Sequence, residues 1–563
     1  MLKLMRFLKG HIPATIAAPL CKLIEAIFEL AVPMIIKSVI DTGITNGDKS
    51  YVIKYCVIIG ILAVAGFLIS VTGQFLAARV AHAYGTKLRD ATFKHVNAMP
   101  VSACDRIGGA SLVTRVMGDT VACQSALNLF LRLVLRMPFV VIGAFVMSMI
   151  IDPILSLMFL AMTIVLGATI TLVLRLTMPR VKRVQKNLDE LSRSTSQSIA
   201  GSRVIRAFSK QADTKRDFDG VAEAAASTNI SAVRISALLT PLTFAVVNLA
   251  IIAVLWFGGV KVNIGNLTQG ETIALINYLQ QAFFVIVNIS TVFSTFTRCS
   301  ACAARVNEIL DYPLPENGSI TEVHDAQIVL KFDGVSFAYE GDYDVRGISF
   351  TLEKDKTLGI IGGTGSGKST IIALTEKFYD PAVGAIELCG NPLSAYDIAA
   401  ARRAIGYVPQ RAAVLMGTLD SNLRIADESV TLEREENAMR LAQASELWET
   451  LGPDGVIEND GRNLSGGQRQ RVGIARSLCR DNLLYLFDDV TSALDYKTER
   501  DFINAMKSVP GAKIYVSQRI SAVSGCDNIL VLDGGRIVGA GNHQTLKATC
   551  PLYAEFCASQ SEN

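Results

Sequence analysis

Charged residues are scarce in this chain: only 19% of its 563 residues are Asp, Glu, Lys or Arg, against 50% apolar. Intrinsic disorder needs the opposite balance and is excluded. The eleven cysteines lack a regular spacing, which argues against a disulfide framework. Cys299 and Cys302 form one C-x-x-C, but a zinc site needs two more ligands and the surrounding run reads as helix, so both read as buried thiols. After the basic start MLKLMRFLKG there is no convincing cleavage site. The apolar pattern runs on to Ile40, as in a retained first span rather than a signal peptide. The length also excludes a single core.

What is abundant is apolar sequence, with a mean hydropathy of +0.36. Six stretches, 12–40, 52–81, 127–150, 154–177, 235–258 and 270–297, are each long enough to cross a hydrocarbon core of about 30 Å as a helix. The net charge of +3 hides an asymmetry: up to residue 310 there are 30 basic and 16 acidic residues, a net +14, and after it 24 and 35, a net −11. A basic surface also suits nucleic acid, but the hydropathy decides for a bilayer and no nucleic-acid partner is expected. The basic residues crowd the links after the second and fourth stretches, such as Lys87, Arg89, Arg115, Arg180, Lys182 and Arg203. By the positive-inside rule those links, and both ends of this half, face the cytoplasm. Both links read as helical hairpins reversing near Ser102–Gly109 and Gly201–Phe208.

Residues 1–310 thus form an all-α six-span membrane domain, and 311–325, with Pro313, Pro315 and Gly318, a linker. In 326–563, β-like runs such as TLGIIGG, LLYLFDD and AKIYVS alternate with helical ones, which implies an α/β domain with a largely parallel sheet.

Gly362-Gly363-Thr364-Gly365-Ser366-Gly367-Lys368-Ser369 fits the phosphate-loop pattern G-x-x-x-x-G-K-S/T, after an apolar strand and opening a helix that continues with Thr370. Glycines let successive N–H groups point at phosphate oxygens, Lys368 adds charge, and Ser369 offers a hydroxyl to Mg²⁺. The strand LLYLF ends in Asp488 and Asp489, as where phosphate-loop proteins hold Mg²⁺ and polarise water. Leu464-Ser465-Gly466-Gly467-Gln468, about 20 residues earlier, is a second small-residue turn before a helix.

On these motifs nearly the whole chain resembles one half of an ATP-binding cassette exporter. The resemblance implies that Tyr339 stacks on adenine and that Gln410 reaches Mg²⁺ and the membrane domain. It makes Asp495 the D-loop acid, and Leu464–Gln468 the signature facing ATP held by a second subunit. It implies a dimer with two shared ATP sites, coupling helices at the two reversals, and residence in a bacterial plasma membrane.

Two positions depart from the family pattern: Asp489 where a catalytic Glu is expected, and Gln518 where a switch His is expected. Asp is shorter by one methylene, about 1.5 Å, and misplacing a catalytic group by about 1 Å costs on the order of 100-fold. Gln cannot carry the imidazolium charge. The chain resembles the degenerate half of a heterodimeric exporter of amphipathic, drug-like or lipid-like compounds; the alternative is an ATP-binding sensor that transports nothing. Lys22, Glu25, Glu29, Arg132 and Arg136 lie within spans, either as internal ion pairs or as a substrate site.

Overall fold

The computed structural model describes residues 2–315, 317–339 and 341–561. It divides into two compact units, Met1–Asn97 with Gly109–Tyr312, and Ala98–Gly108 with Pro313–Asn563.

The first unit is helical. Its long helices are Ile12–Ser38, Lys49–Ala98, Gly109–Ile151, Pro153–Ala200, Gln211–Asn263 and Gln269–Leu310. At 1.5 Å per residue the 50-residue helix Lys49–Ala98 runs for about 75 Å, more than twice a hydrocarbon core, so its end projects well beyond the bilayer. Five of the six are long and apolar enough to span a membrane by composition. The first carries Lys22, Glu25 and Glu29, which makes it too charged to qualify on that ground. Ile61, Val64, Phe67 and Leu68 lie exposed on Lys49–Ala98, as suits hydrocarbon rather than water.

Short links are fixed by caps. Asp152 caps Pro153–Ala200 by accepting from the Ile154 and Leu155 N–H groups, both at 2.9 Å, and also pairs with Lys261. Thr268 and Glu271 form a reciprocal capping box at the start of Gln269–Leu310, and Lys37 pairs with Glu271 at 2.8 Å. Both long links reverse through short helices, Val101–Ile107 and Ser202–Ala207.

The second unit holds two main sheets. Strands are β1 (Ile328–Phe337), β2 (Val345–Glu353), β3 (Thr357–Gly362), β4 (Val383–Leu388), β5 (Asn391–Pro392), β6 (Ile405–Val408), β7 (Gly417–Thr418), β8 (Val456–Ile457), β9 (Leu484–Asp488), β10 (Ala512–Ser517), β11 (Asn528–Asp533) and β12 (Arg536–Gly541). The six-stranded sheet, ordered β12-β11-β3-β10-β9-β6, is parallel except for β12. Every residue of β9 and β10 is buried, as expected of parallel strands covered on both faces. A four-stranded antiparallel sheet, β2-β1-β4-β5, is separate from it, a division that no local sequence pattern marks.

Candidate nucleotide-binding site

β3 ends at Gly362, and the loop 363–367 turns directly into the helix Lys368–Thr375. Two glycines are there by necessity. A Cβ on Gly362 would lie 2.3 Å from the Leu532 carbonyl oxygen, and Gly367 has φ +95° with Val345 only 2.6 Å from where its Cβ would be. Lys368 Nζ donates to the carbonyls of Gly362 at 2.8 Å and Gly363 at 2.7 Å.

β9, separated from β3 by β10 alone, delivers the acid pair. Ser369 Oγ donates to Asp488 Oδ1 at 3.0 Å, and Gln410 Nε2 to Asp489 Oδ2 at 3.2 Å. Asp489 has φ +47°, a left-handed conformation that Asp tolerates better than most residues. Burial pushes both carboxyls above their ordinary range and holds the Lys368 ammonium below its own. Each of these charges therefore gains from an opposite charge brought into the cavity.

That cavity, about 240 Å³, is lined by Thr364–Thr370, Gln410, Asp488, Asp489 and Gln518. The structure thus brings together most of the residues expected to hold nucleotide. Tyr339, 47% exposed, lies outside the cavity lining; its ring packs edge-on against Tyr379. Gln518 is exposed, and its carbonyl accepts from Gln560 Nε2 at 2.8 Å.

The signature stands apart from this cavity lining. Ser465 caps the helix Gly466–Leu478 through a capping box with Gln468, while Leu464 is buried beneath. Ser465 and Gly466 are exposed, and a Cβ on Gly466 would meet nothing within 4 Å. Gly467 sits closer, 3.2 Å from the Ala493 carbonyl oxygen by the same measure. Asp495 is exposed and caps Tyr496–Met506 by accepting from Thr498.

Two further acids belong to this region without any motif that announces them. Asp344 lines the cavity and accepts from the Tyr339 N–H at 2.7 Å. Buried Glu499 accepts from Arg519 at 2.8 Å and Ser521 at 2.6 Å, tying the helix after Asp495 to the segment after Gln518. The available signal was Glu499 standing one helical turn after Asp495. Cys299 and Cys302 are both buried.

Residues 15–287 match the family model of the ABC transporter transmembrane region, and 345–492 that of the ABC transporter. The chain is 31% identical to an uncharacterised ABC transporter ATP-binding protein of Mycobacterium tuberculosis, over 96% of this chain and 94% of the relative. It is 28% identical to an ATP-dependent lipid A-core flippase of Haemophilus ducreyi, over 97% and 95%. A solved bacterial Atm1-family ABC exporter with ATP bound shares the fold, with TM-score 0.82 and 22% identity over 98% of each chain. Membrane helices followed by an α/β cassette, together with this full-length similarity, make the chain a member of the ABC transporter family, with the exporter arrangement of a half-transporter.

Proposed function

We propose that this chain is one subunit of an ATP-driven exporter of amphipathic, drug-like or lipid-like compounds. Its own ATP site is slow, and its signature completes the working site of a different partner subunit. The observation that carries this reading is the division within the cassette: a lined phosphate cavity with Asp489 and Gln518 in it, and an intact signature left open. The flippase relative supports a lipid-like cargo.

In this reading Gly362–Gly367 and Lys368 bind the phosphates of ATP, and Tyr339 the adenine. Ser369, Asp488 and Gln410 would hold Mg²⁺, for which the oxygens of Ser369 and Asp488 are fitting hard donors. Bound there, Mg²⁺ supplies charge neutralisation of the phosphates. Asp489 is the base position, and its short side chain stands back from where a Glu would orient water. Ser465, Gly466 and Asp495 face the partner's nucleotide. The reversal Ser202–Ala207, which buries no side chain, docks on the partner's cassette. Both termini lie in the cytoplasm of a bacterial cell.

ATP-dependent uptake of a panel of amphipathic dyes by inverted vesicles tests the proposal. Accumulation that is lost with Lys368→Ala in this chain together with the equivalent change in the partner supports export. An assembled complex that binds dyes and moves none would instead establish the sensor reading.

A further inference from the structure

Charge inside a bilayer is expensive and is retained where it does something. Midway along the first helix, Lys22 Nζ donates to Glu25 at 2.7 Å and to Ser70 Oγ at 2.9 Å. One turn on, Glu29 pairs with Arg136 of the third span, whose guanidinium also lies 3.9 Å from Glu25. Arg136 Nε is buried without a hydrogen-bond partner among the described residues.

A groove of about 350 Å³ opens beside it. Glu25, Glu29, Ser70 and Arg136 form its polar end, and Phe28, Val32, Leu62 and Phe67 its apolar walls. Glu29 is the most accessible of the charges, its side chain 39% exposed. Both signs therefore face one space, next to an apolar trough that leads to the hydrocarbon-facing Phe67. A ligand of one sign would satisfy one member of the Glu29–Arg136 pair and strand the other. A zwitterion replaces both halves at once.

We propose that this groove binds the zwitterionic head of an ammonium-bearing phospholipid, ammonium on Glu29 and phosphodiester on Arg136, with an acyl chain along Phe28, Val32, Leu62 and Phe67. The inference rests on the export reading above, to which it adds the class of amphiphile.

The test uses the full chain with whatever partner co-purifies, in a non-ionic detergent and without ATP. Binding of short-chain phosphatidylethanolamine, short-chain phosphatidylglycerol and a long-chain alkylamine is followed by native mass spectrometry. Phosphatidylethanolamine should bind best. Glu29→Gln and Arg136→Gln should each weaken it about tenfold, the loss of one charged hydrogen bond. The double variant Glu29→Gln/Arg136→Gln should bind no better than either single one. Gly66→Leu, which fills the apolar trough without touching a charge, should weaken binding too. ATP photolabelling of this chain reports that each variant is folded. Equal or tighter binding of phosphatidylglycerol or alkylamine overturns the proposal. So does recovery of binding in the double variant, which would make the pair a structural bridge only. Because no ATP is used, these results stand apart from vesicle transport: dye export with no head-group preference removes this site alone, whereas absence of any export removes the broader reading.

Discussion

The cassette contains two small-residue turns that each start a helix, and they are finished to different degrees. The phosphate loop is enclosed: Lys368 is bonded to two loop carbonyls, and Asp488 and Asp489 are buried beside it with hydrogen-bond donors of their own. The signature is capped but bare, with Ser465 and Gly466 exposed. The two reversals differ in the same way. Val101–Ile107 packs within the second unit, where Tyr379 donates to Asp105 at 2.5 Å. Ser202–Ala207 has no buried residue, with Val204 61% and the following Phe208 73% exposed. An exposed apolar reversal and an exposed signature are the surfaces that the proposed function assigns to a partner subunit, whereas the enclosed motifs are completed by this chain's own residues.

The largest effect is expected from altering the exposed turn. Gly466→Asp adds a side chain where there is room, so the fold should stand. If the signature completes the partner's site as proposed, a negative charge there should nevertheless lower ATPase of the assembled complex by about 100-fold or more, the scale of losing a phosphate-stabilising group. Asp489→Asn should leave most of that activity, and a steady-state assay of both variants measures the contrast.

Next in size is the enclosed turn. Lys368→Ala removes a charge that the site holds at a desolvation cost, and ATP photolabelling of this subunit should fall at least about tenfold. Labelling at the wild-type level would displace the phosphate loop from its role.

Val204→Asp should act on the open reversal. Because Val204 is exposed, stability should change little. Transport should drop several-fold while nucleotide labelling is kept, and disulfide trapping between this segment and the partner's cassette should weaken in parallel.

The smallest effect lies in the core. Burial raises the Glu376 carboxyl to about 8, against attraction from Arg402 and Arg480. The protonated form suits the folded site, so this side chain's contribution is fully present below the ordinary carboxylate range. It is lost as pH rises through about 8. Glu376→Gln should therefore raise the melting temperature of the cassette at pH 8 relative to the wild type, and less so at pH 5.

The phosphate loop, the acid pair and the signature could be located because each is a contiguous run with a recognisable spacing, and the structure gathers the first two around one cavity. The hairpins of the long links were legible from composition and length. What the sequence hid depends on partners far along the chain. β1 lies between β2 and β4 in an antiparallel sheet that no local pattern announces. Asp105 meets Tyr379 across 274 positions, and Glu29 meets Arg136 across 107. The first helix shows the limit most plainly. Lys22, Glu25 and Glu29 spoil its apolar signature, and only the cluster formed with Ser70 and Arg136 makes those charges intelligible within a membrane. Glu499 was missed for a related reason: an acid on a polar helix looks solvated until Arg519 and Ser521 are folded against it.

In the proposed function this chain's own ATP site is slow and its signature serves another subunit. ATP turnover by the chain purified alone, compared with the chain assembled with a partner bearing Glu and His at the positions of Asp489 and Gln518, tests it most directly. Almost no hydrolysis is expected from the chain alone, with restoration on assembly. A homodimer of this chain turning over at several per second, an ordinary enzymatic rate on the order of 1–10³ per second, would contradict it.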